Sequence, residues 1–336
     1  MEQVSNINQI GAAFTLIMAV LFLVLPRKYA VMPLLMTVLY LPLGQVLIIA
    51  SLNFTMFRIM ILVGFIRIVM KKEYDFVKLN IIDYLLILYV ASCFITQIIL
   101  WQTSAEFVNR LGFAYNAIGI YFLFRCLIRN NDDYSILLKI MALIIVPVAI
   151  AGLIEMKTGR NLLSIFGGVP EFSAIRNGRI RCQMSFNHPI LSGTFGATSM
   201  PLFIALFFKE NGRDKNLIIG IIGFTCATII MVVSSSSGPL IAYLFGIIGL
   251  MIWPFRSYMR AIRWGIFFVL ISLHVVMNAP VWYLMARLAA ITGGTGWHRS
   301  QLVDQWLRHF NEWWLLGTKK TSHWMGGMHL LNRPDD

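Results

Sequence analysis

The sequence predicts an all-α fold: a polytopic transmembrane helical bundle of about ten spans, with two long extracytoplasmic loops. Three observations carry that prediction. Of 336 residues, 58% are hydrophobic and only 13% charged, whereas soluble domains carry about a quarter charged residues. Mean hydropathy is +0.73. The apolar residues come in blocks of roughly 17 to 25, the length that crosses a bilayer core as helix. In lipid every backbone group must be satisfied within the chain, so such blocks must be helical.

The predicted spans are Gly11–Leu25, Ala30–Ala50, Phe54–Met70, Ile81–Trp101, Phe107–Ile128, Leu137–Met156, Ile190–Phe208, Asn216–Val233, Pro239–Trp253 and Trp264–Ala279. The third and fifth carry Arg58, Arg67 and Arg110. The connections sort into two sets. One is basic, with Arg27 and Lys28; Lys71, Lys72 and Lys78; Arg125, Arg129 and Lys139; Lys209, Arg213 and Lys215; and Arg256, Arg260 and Arg263. The other has no Lys or Arg: Ser51–Asn53, Gln102–Glu106 and Ser234–Gly238. The positive-inside rule places the basic set in the cytoplasm. One membrane domain then covers residues 1–336. Its two long loops, 157–189 and 280–336, fall outside, where any active site must face. Long loops translocate largely regardless of charge. The N-terminal segment lacks Lys and Arg, so the first apolar block is expected to remain as an anchor rather than a cleaved signal.

The net charge of +13 would suggest nucleic acid in a soluble chain. Here its distribution over connections and outer loops points to membrane lipids and anionic ligands, and no nucleic acid is expected. Four cysteines, Cys93, Cys126, Cys182 and Cys226, show no metal-ligand spacing. Three lie in apolar blocks and Cys182 in a polar loop, so they read as small hydrophobes. No acidic pair suggests a metal, and neither metal nor cofactor is expected. The spans hold no carboxylate near mid-membrane, since Asp83 and Glu155 lie near span ends. Coupled carriers usually place ionisable groups in the membrane interior. A transporter or lipid-glycan flippase is therefore the second reading of the chain.

The first outer loop carries Arg176, Arg179 and Arg181, then Phe186-Asn187-His188-Pro189, then a span opening with Ser192, Gly193, Gly196 and Ala197. Pro189 favours a helix start there, and the small residues allow close helix contact. Arginine's planar fork suits phosphate. Arg58 and Arg110, near the outer ends of their spans, either snorkel to headgroups or line an outward cavity that receives phosphate. In the second loop Val303, Trp306, Leu307, Phe310, Trp313 and Trp314 fall on one face of a helix expected over Arg299–Leu316, with Gly317 as its cap. That face suits the membrane interface, and its indoles also suit stacking on sugar rings. Lys319, Lys320, His323 and His329 follow.

The stretch from Arg176 to Leu206 resembles the family of O-antigen ligases and polysaccharide polymerases, membrane glycosyltransferases of the bacterial cell envelope. Phe186, His188, Pro189, Ile190, Gly193 and Phe195 fill the F-x-H-P-I-x-x-G-x-F pattern of its exopolysaccharide-assembly members. Val232–Leu250 resembles the family's serine-rich turn into a helix, with Gly238-Pro239 where the family often has Arg-Gly. Trp297–Lys320 resembles the start of its large outer loop, with Arg299 and Gly317 in place. The helices over 190–279 thus read as family-like. The resemblance implies a metal-independent, outer-leaflet glycosyltransferase in the bacterial inner membrane. Its donor would be a glycan on undecaprenyl pyrophosphate, and its acceptor a glycan or a lipid core. It implies catalytic roles for His188, Arg181 and Arg299, with His188 as general base or polar contact. Substrate binding would fall to Arg176, Arg179, Arg58, Arg110, Trp306 and His323. It also implies that a further span follows the second loop, with Asp335 and Asp336 at the start of a missing region.

Overall fold

The computed structural model describes residues 8–49, 52–74, 79–176, 178–208, 216–287 and 296–325. Helices dominate, as the apolar blocks require. The first are α1 (Gln9–Val24), α2 (Val31–Tyr40) and α3 (Met56–Met70). Next come α4 (Ile81–Trp101), α5 (Ser104–Leu127) and α6 (Asn131–Thr158). Then follow α7 (Pro189–Ile204), α8 (Leu217–Val233), α9 (Ser237–Ile252) and α10 (Met259–Val276). Helices α11 (Gly296–Arg308) and α12 (Phe310–Trp313) complete the described chain. Four helical stretches are long and apolar enough to cross a membrane: Ile81–Trp101, Asn131–Thr158, Pro189–Phe207 and Ser237–Val276. The last is kinked where Phe255 leaves helical geometry, one residue after Pro254.

The expected second span, Ala30–Ala50, does not form as one helix. α2 stops at Tyr40, and Leu41 is extended (φ −94°, ψ 126°). Pro42 explains the break, because its ring disfavours helical geometry in the preceding residue. Beyond it the chain makes a small antiparallel hairpin, β1 (Val46–Ile49) against β2 (Leu52–Thr55), with Val46 opposite Thr55. Thr55 then caps α3 by accepting the Arg58 N–H. α6 also starts six residues earlier than the predicted span, with Asn130 accepting the Asp133 N–H at its start.

Two compact units make up the chain: residues 1–78 with 115–252, and residues 79–114 with 253–336. The first has two apolar clusters. One joins Phe22 of α1, Leu34 of α2, Met60 of α3 and Leu123 of α5. The other joins Ile145 and Ala149 of α6, Met200 and Phe203 of α7, and Ala227 and Ile230 of α8. The small residues at the start of α7 are buried, as the sequence suggests. A Cβ on Gly196 would lie 2.5 Å from the Ala227 carbonyl oxygen, and one on Gly193 2.3 Å from Ser234 Oγ. Only glycine lets α7 lie this close to α8 and to the turn before α9.

The connections of this unit meet at two ends. At one, Arg27 pairs with Asp133 at 2.6 Å and donates to the Leu127 carbonyl. Arg67 is fully buried there, paired with Glu73 at 2.7 Å and donating to the Phe22 and Leu25 carbonyls that α1 leaves unsatisfied. At the other end Asn8 donates to the Ile165 carbonyl, and Gly44 packs against Gly168. The basic residues Lys78, Lys209, Arg213 and Lys215 lie outside the described residues.

The outer faces are apolar. Ile81, Ile82, Leu85 and Leu88 of α4 are exposed, and so are Trp264, Phe267, Phe268 and Leu270 of α10. Water-soluble surfaces rarely carry such continuous apolar area, whereas lipid accepts it.

Candidate functional site: an arginine hairpin around a buried turn

In the first unit the loop after α6 folds back as β3 (Ala174–Arg176) paired with β4 (Arg179–Arg181). Gly178, at φ +71°, closes the turn. The register sets Arg176 directly opposite Arg179 and Ala174 opposite Arg181. Like charges facing across a strand pair are unfavourable. Among the described residues neither Arg176 nor Arg179 has an ion-pair partner, so the hairpin presents concentrated positive charge. Arg181 reaches inward and donates from Nη2 to Ser236 Oγ at 2.9 Å. Ser236 belongs to the serine-rich turn ahead of α9 and itself donates to the Ser234 carbonyl. Partial burial, then the charge of Arg176, lower the Arg181 pKa from its ordinary value. An anion beside it would offset the repulsion from Arg176 and favour the charged guanidinium.

The segment after Arg181 was expected to be polar loop. Instead Cys182, Gln183, Met184 and Ser185 are all buried. Every anchor is a specific hydrogen bond. Cys182 N–H donates to the Val233 carbonyl, and Ser192 Oγ donates to the Cys182 carbonyl. Asn161 Nδ2 donates to the Met184 carbonyl at 2.7 Å, and Ser185 Oγ to the Leu39 carbonyl at 2.6 Å. Met184 adopts φ +53°, a left-handed conformation costly for a residue with a Cβ. The residue that holds this turn is Glu155, itself completely buried in α6. Its Oε1 accepts from Ser173 Oγ at 2.7 Å and from the Gln183 N–H at 3.0 Å, and its Oε2 from the Met184 N–H at 3.0 Å. Sequence reading placed Glu155 at a span end and gave it no role. Burial and the Glu155 carboxylate push the Cys182 thiol up to about 12, so it is an inert packing group.

His188 follows the buried turn as the N-cap of α7. Its ring Nδ1 accepts the Ile190 N–H at 3.1 Å. In the neutral ring that bond leaves the proton on Nε2, so Nε2 is a donor. Partial burial and the Arg181 charge lower the His188 pKa, which favours the neutral ring. Phe186 packs on Phe195 with centroids 5.5 Å apart. Arg181 and His188 therefore bracket one rigid buried turn, beside Ser236.

The other expected site residues belong to other elements. Arg58 is committed to its own neighbours, donating to Asn116 Oδ1 at 3.2 Å and to the Asn53 carbonyl. It thus ties α3 to α5 and β2. In the second unit Arg110 pairs with Glu106 one turn away on α5. Arg299 is an exposed residue of α11. Trp306 stacks on Trp313 at 4.2 Å, and Trp313 Nε1 donates to the Trp306 carbonyl. That contact bends the expected single helix into α11 and α12. Gly317, at φ +84°, closes this segment with a bond from its N–H to the Trp313 carbonyl, as the sequence suggests. His323 Nε2 lies 2.7 Å from Glu312 Oε2. His329, Asp335 and Asp336 lie outside the described residues.

No family model, curated protein or solved structure matches the chain.

Proposed function

We propose that this membrane protein is an outer-leaflet glycosyltransferase, polymerising or ligating glycan from undecaprenyl-pyrophosphate-linked donors in O-antigen or exopolysaccharide assembly. The observation that carries the reading is the cationic hairpin fixed beside His188 and Ser236, at the head of helices long enough to cross a membrane. The positive-inside pattern turns that end of the bundle away from the bacterial cytoplasm.

The chemistry is displacement at the anomeric carbon of the donor sugar. An acceptor hydroxyl forms the new C–O bond, the bond to the lipid diphosphate breaks, and the hydroxyl proton leaves to a base. Charge gathers on the departing diphosphate, and groups aimed at that charge lower the barrier. Arg181 is assigned to the diphosphate first, with Arg179 and Arg176 beside it. His188 is assigned to donation from Nε2 to a diphosphate oxygen rather than to taking the hydroxyl proton, because its Nδ1 is engaged by Ile190. Arg299, Arg110, Trp306 and His323 enter on the sequence resemblance alone. Arg58 stands behind these, since its Nε and Nη1 already donate to Asn116 and the Asn53 carbonyl.

The test is deletion of the gene with gel analysis of surface and lipid-linked glycans, complemented by wild type and Arg181→Ala. Single repeat units replacing the long ladder mark a polymerase. Full-length polymer held on the lipid carrier marks a ligase. An unchanged profile in a strain that makes such polymers would overturn the reading and favour transport.

A further inference from the structure

Three side chains of the second unit converge on one point. His309 stands at the break between α11 and α12, and its Nδ1 lies 2.7 Å from Glu312 Oε1. His323 Nε2 lies 2.7 Å from the other oxygen, Oε2. The ligand atoms of the three residues all fall within 4.8 Å of one another. Trp324 completes the group. Its indole stacks on His309 with centroids 5.2 Å apart and an interplanar angle of 8°, and its Nε1 donates to Glu312 Oε2 at 3.0 Å.

We propose that His309, Glu312 and His323 bind one divalent transition-metal ion of the zinc class, stapling the helix break to the turn after Gly317. Two imidazoles and one carboxylate are a donor set that suits zinc and neighbouring metals and suits magnesium or calcium poorly. Three protein ligands with a position left for water is a recurring zinc arrangement. Zinc at about 2.05 Å from each of two tetrahedral ligands sets them about 3.3 Å apart. The ring nitrogens already point at the carboxylate, so each of the two nitrogen–oxygen pairs need open by only about 0.6 Å. The ring protons move to the second nitrogens or to solvent as the ion enters. Trp324 supplies the outer support that orients metal ligands, through its bond to the carboxylate and its stacking on the ring. All three ligands are partly exposed, which leaves an entry path. The metal site does not rest on the glycosyltransferase reading, and it gives His323 a different role from the one the resemblance implies.

The test uses the full chain in nanodiscs, free of any affinity tag and stripped with a chelator, then dialysed against zinc. Bound zinc per chain is measured by mass spectrometry, and affinity by competition with a chromophoric chelator. One zinc per chain is expected. Outer-shell partners are worth about 10–100-fold in metal affinity. Trp324→Phe should therefore weaken binding within that band, and His309→Ala, Glu312→Gln and His323→Ala by more. Zinc should also slow tryptic cleavage after Lys319 and Lys320, which lie between the ligands. Cobalt on the wild type gives an independent readout free of folding changes, since bound cobalt shows the absorption of a low-coordinate N/O site. Wild type that binds no stoichiometric zinc, ligand variants that bind as well as wild type, or cobalt with the spectrum of the aquo ion would each overturn the site.

Discussion

Replacing Glu155 by glutamine changes one atom, yet it strikes the contact that fixes the site. The amide oxygen can take the place of Oε1 and keep the Ser173 and Gln183 donors. The amide NH2 then faces the Met184 N–H, donor against donor. A buried donor left without a partner costs about 1–3 kcal/mol. The two surviving bonds fall from the charged class, about 1.5–3 kcal/mol, to the neutral class, about 0.5–1.5. Relief from burying a charge offsets part of this, leaving about 2–4 kcal/mol against the turn. Glu155→Ala orphans all three donors, at about 1–3 kcal/mol each, and should cost more. Hydrogen exchange at the Gln183 and Met184 amides reads this locally. At about 1.4 kcal/mol per tenfold, the glutamine variant should exchange about 30- to 1000-fold faster there. Amides in the α7–α8 core serve as the unchanged reference. Glycan assembly should fall in both variants, although Glu155 touches no substrate. Exchange within about threefold of wild type in both variants, each still folded, would refute the claim that Glu155 holds the turn.

Other outcomes follow from the same geometry. Arg181→Ala should abolish glycan assembly at unchanged protein level, and Arg181→Lys should leave about a tenth or less, because lysine lacks the planar fork; gel analysis of the glycans checks both. Gly196→Ala should destabilise by about 1–3 kcal/mol and more than Gly193→Ala. The added methyl meets backbone of α8 at position 196, but a serine hydroxyl and a proline ring at 193; thermal unfolding in detergent ranks the two. Cys182 should resist maleimide in the folded protein, given its burial and raised pKa, and labelling at wild-type rates after Glu155→Ala would contradict the anchoring. His188 should titrate below its ordinary value of about 6.5 and carry its neutral proton on Nε2. Its folded pKa is the depressed one. The stability it contributes is thus present above about pH 6.5 and lost as pH falls through the folded value. Labelled-imidazole NMR with His188→Ala as reference checks the tautomer and the midpoint together.

Helices were legible in the sequence wherever apolar blocks ran long, and the Gly317 cap was legible from its place after an amphipathic stretch. Pro42 was equally visible, but a hydropathy window passes over a single proline inside an apolar run. The predicted span over Ala30–Ala50 therefore ignored the residue that ends α2. Arg181 and His188 stand out in the sequence because charge and a His-Pro pair are conspicuous in a loop. The turn between them does not, because Cys182, Met184 and Ser185 carry no periodic pattern. What buries that turn is a carboxylate 28 or 29 residues away, a contact no local rule encodes. His309, Glu312 and His323 escaped for a similar reason. Their spacing crosses a helix break set by the Trp306–Trp313 stack, so no short motif contains them.

The buried Arg67 has a consequence for how the chain folds. α3 has 15 residues, fewer than the about 20 that span the core unaided, and it carries Arg58 and Arg67. Arg67 lies in the last turn, where an unpaired guanidinium snorkels toward water at less than the about 2.5–3.5 kcal/mol of a helix centre. Its compensating oxygens come from the α1 terminus and from Glu73, which the ribosome makes only after α3 itself. α3 therefore depends on its neighbours to satisfy Arg67. Arg67 is thus satisfied only when α1, α3 and the segment after α3 are all in place, which couples the three in folding.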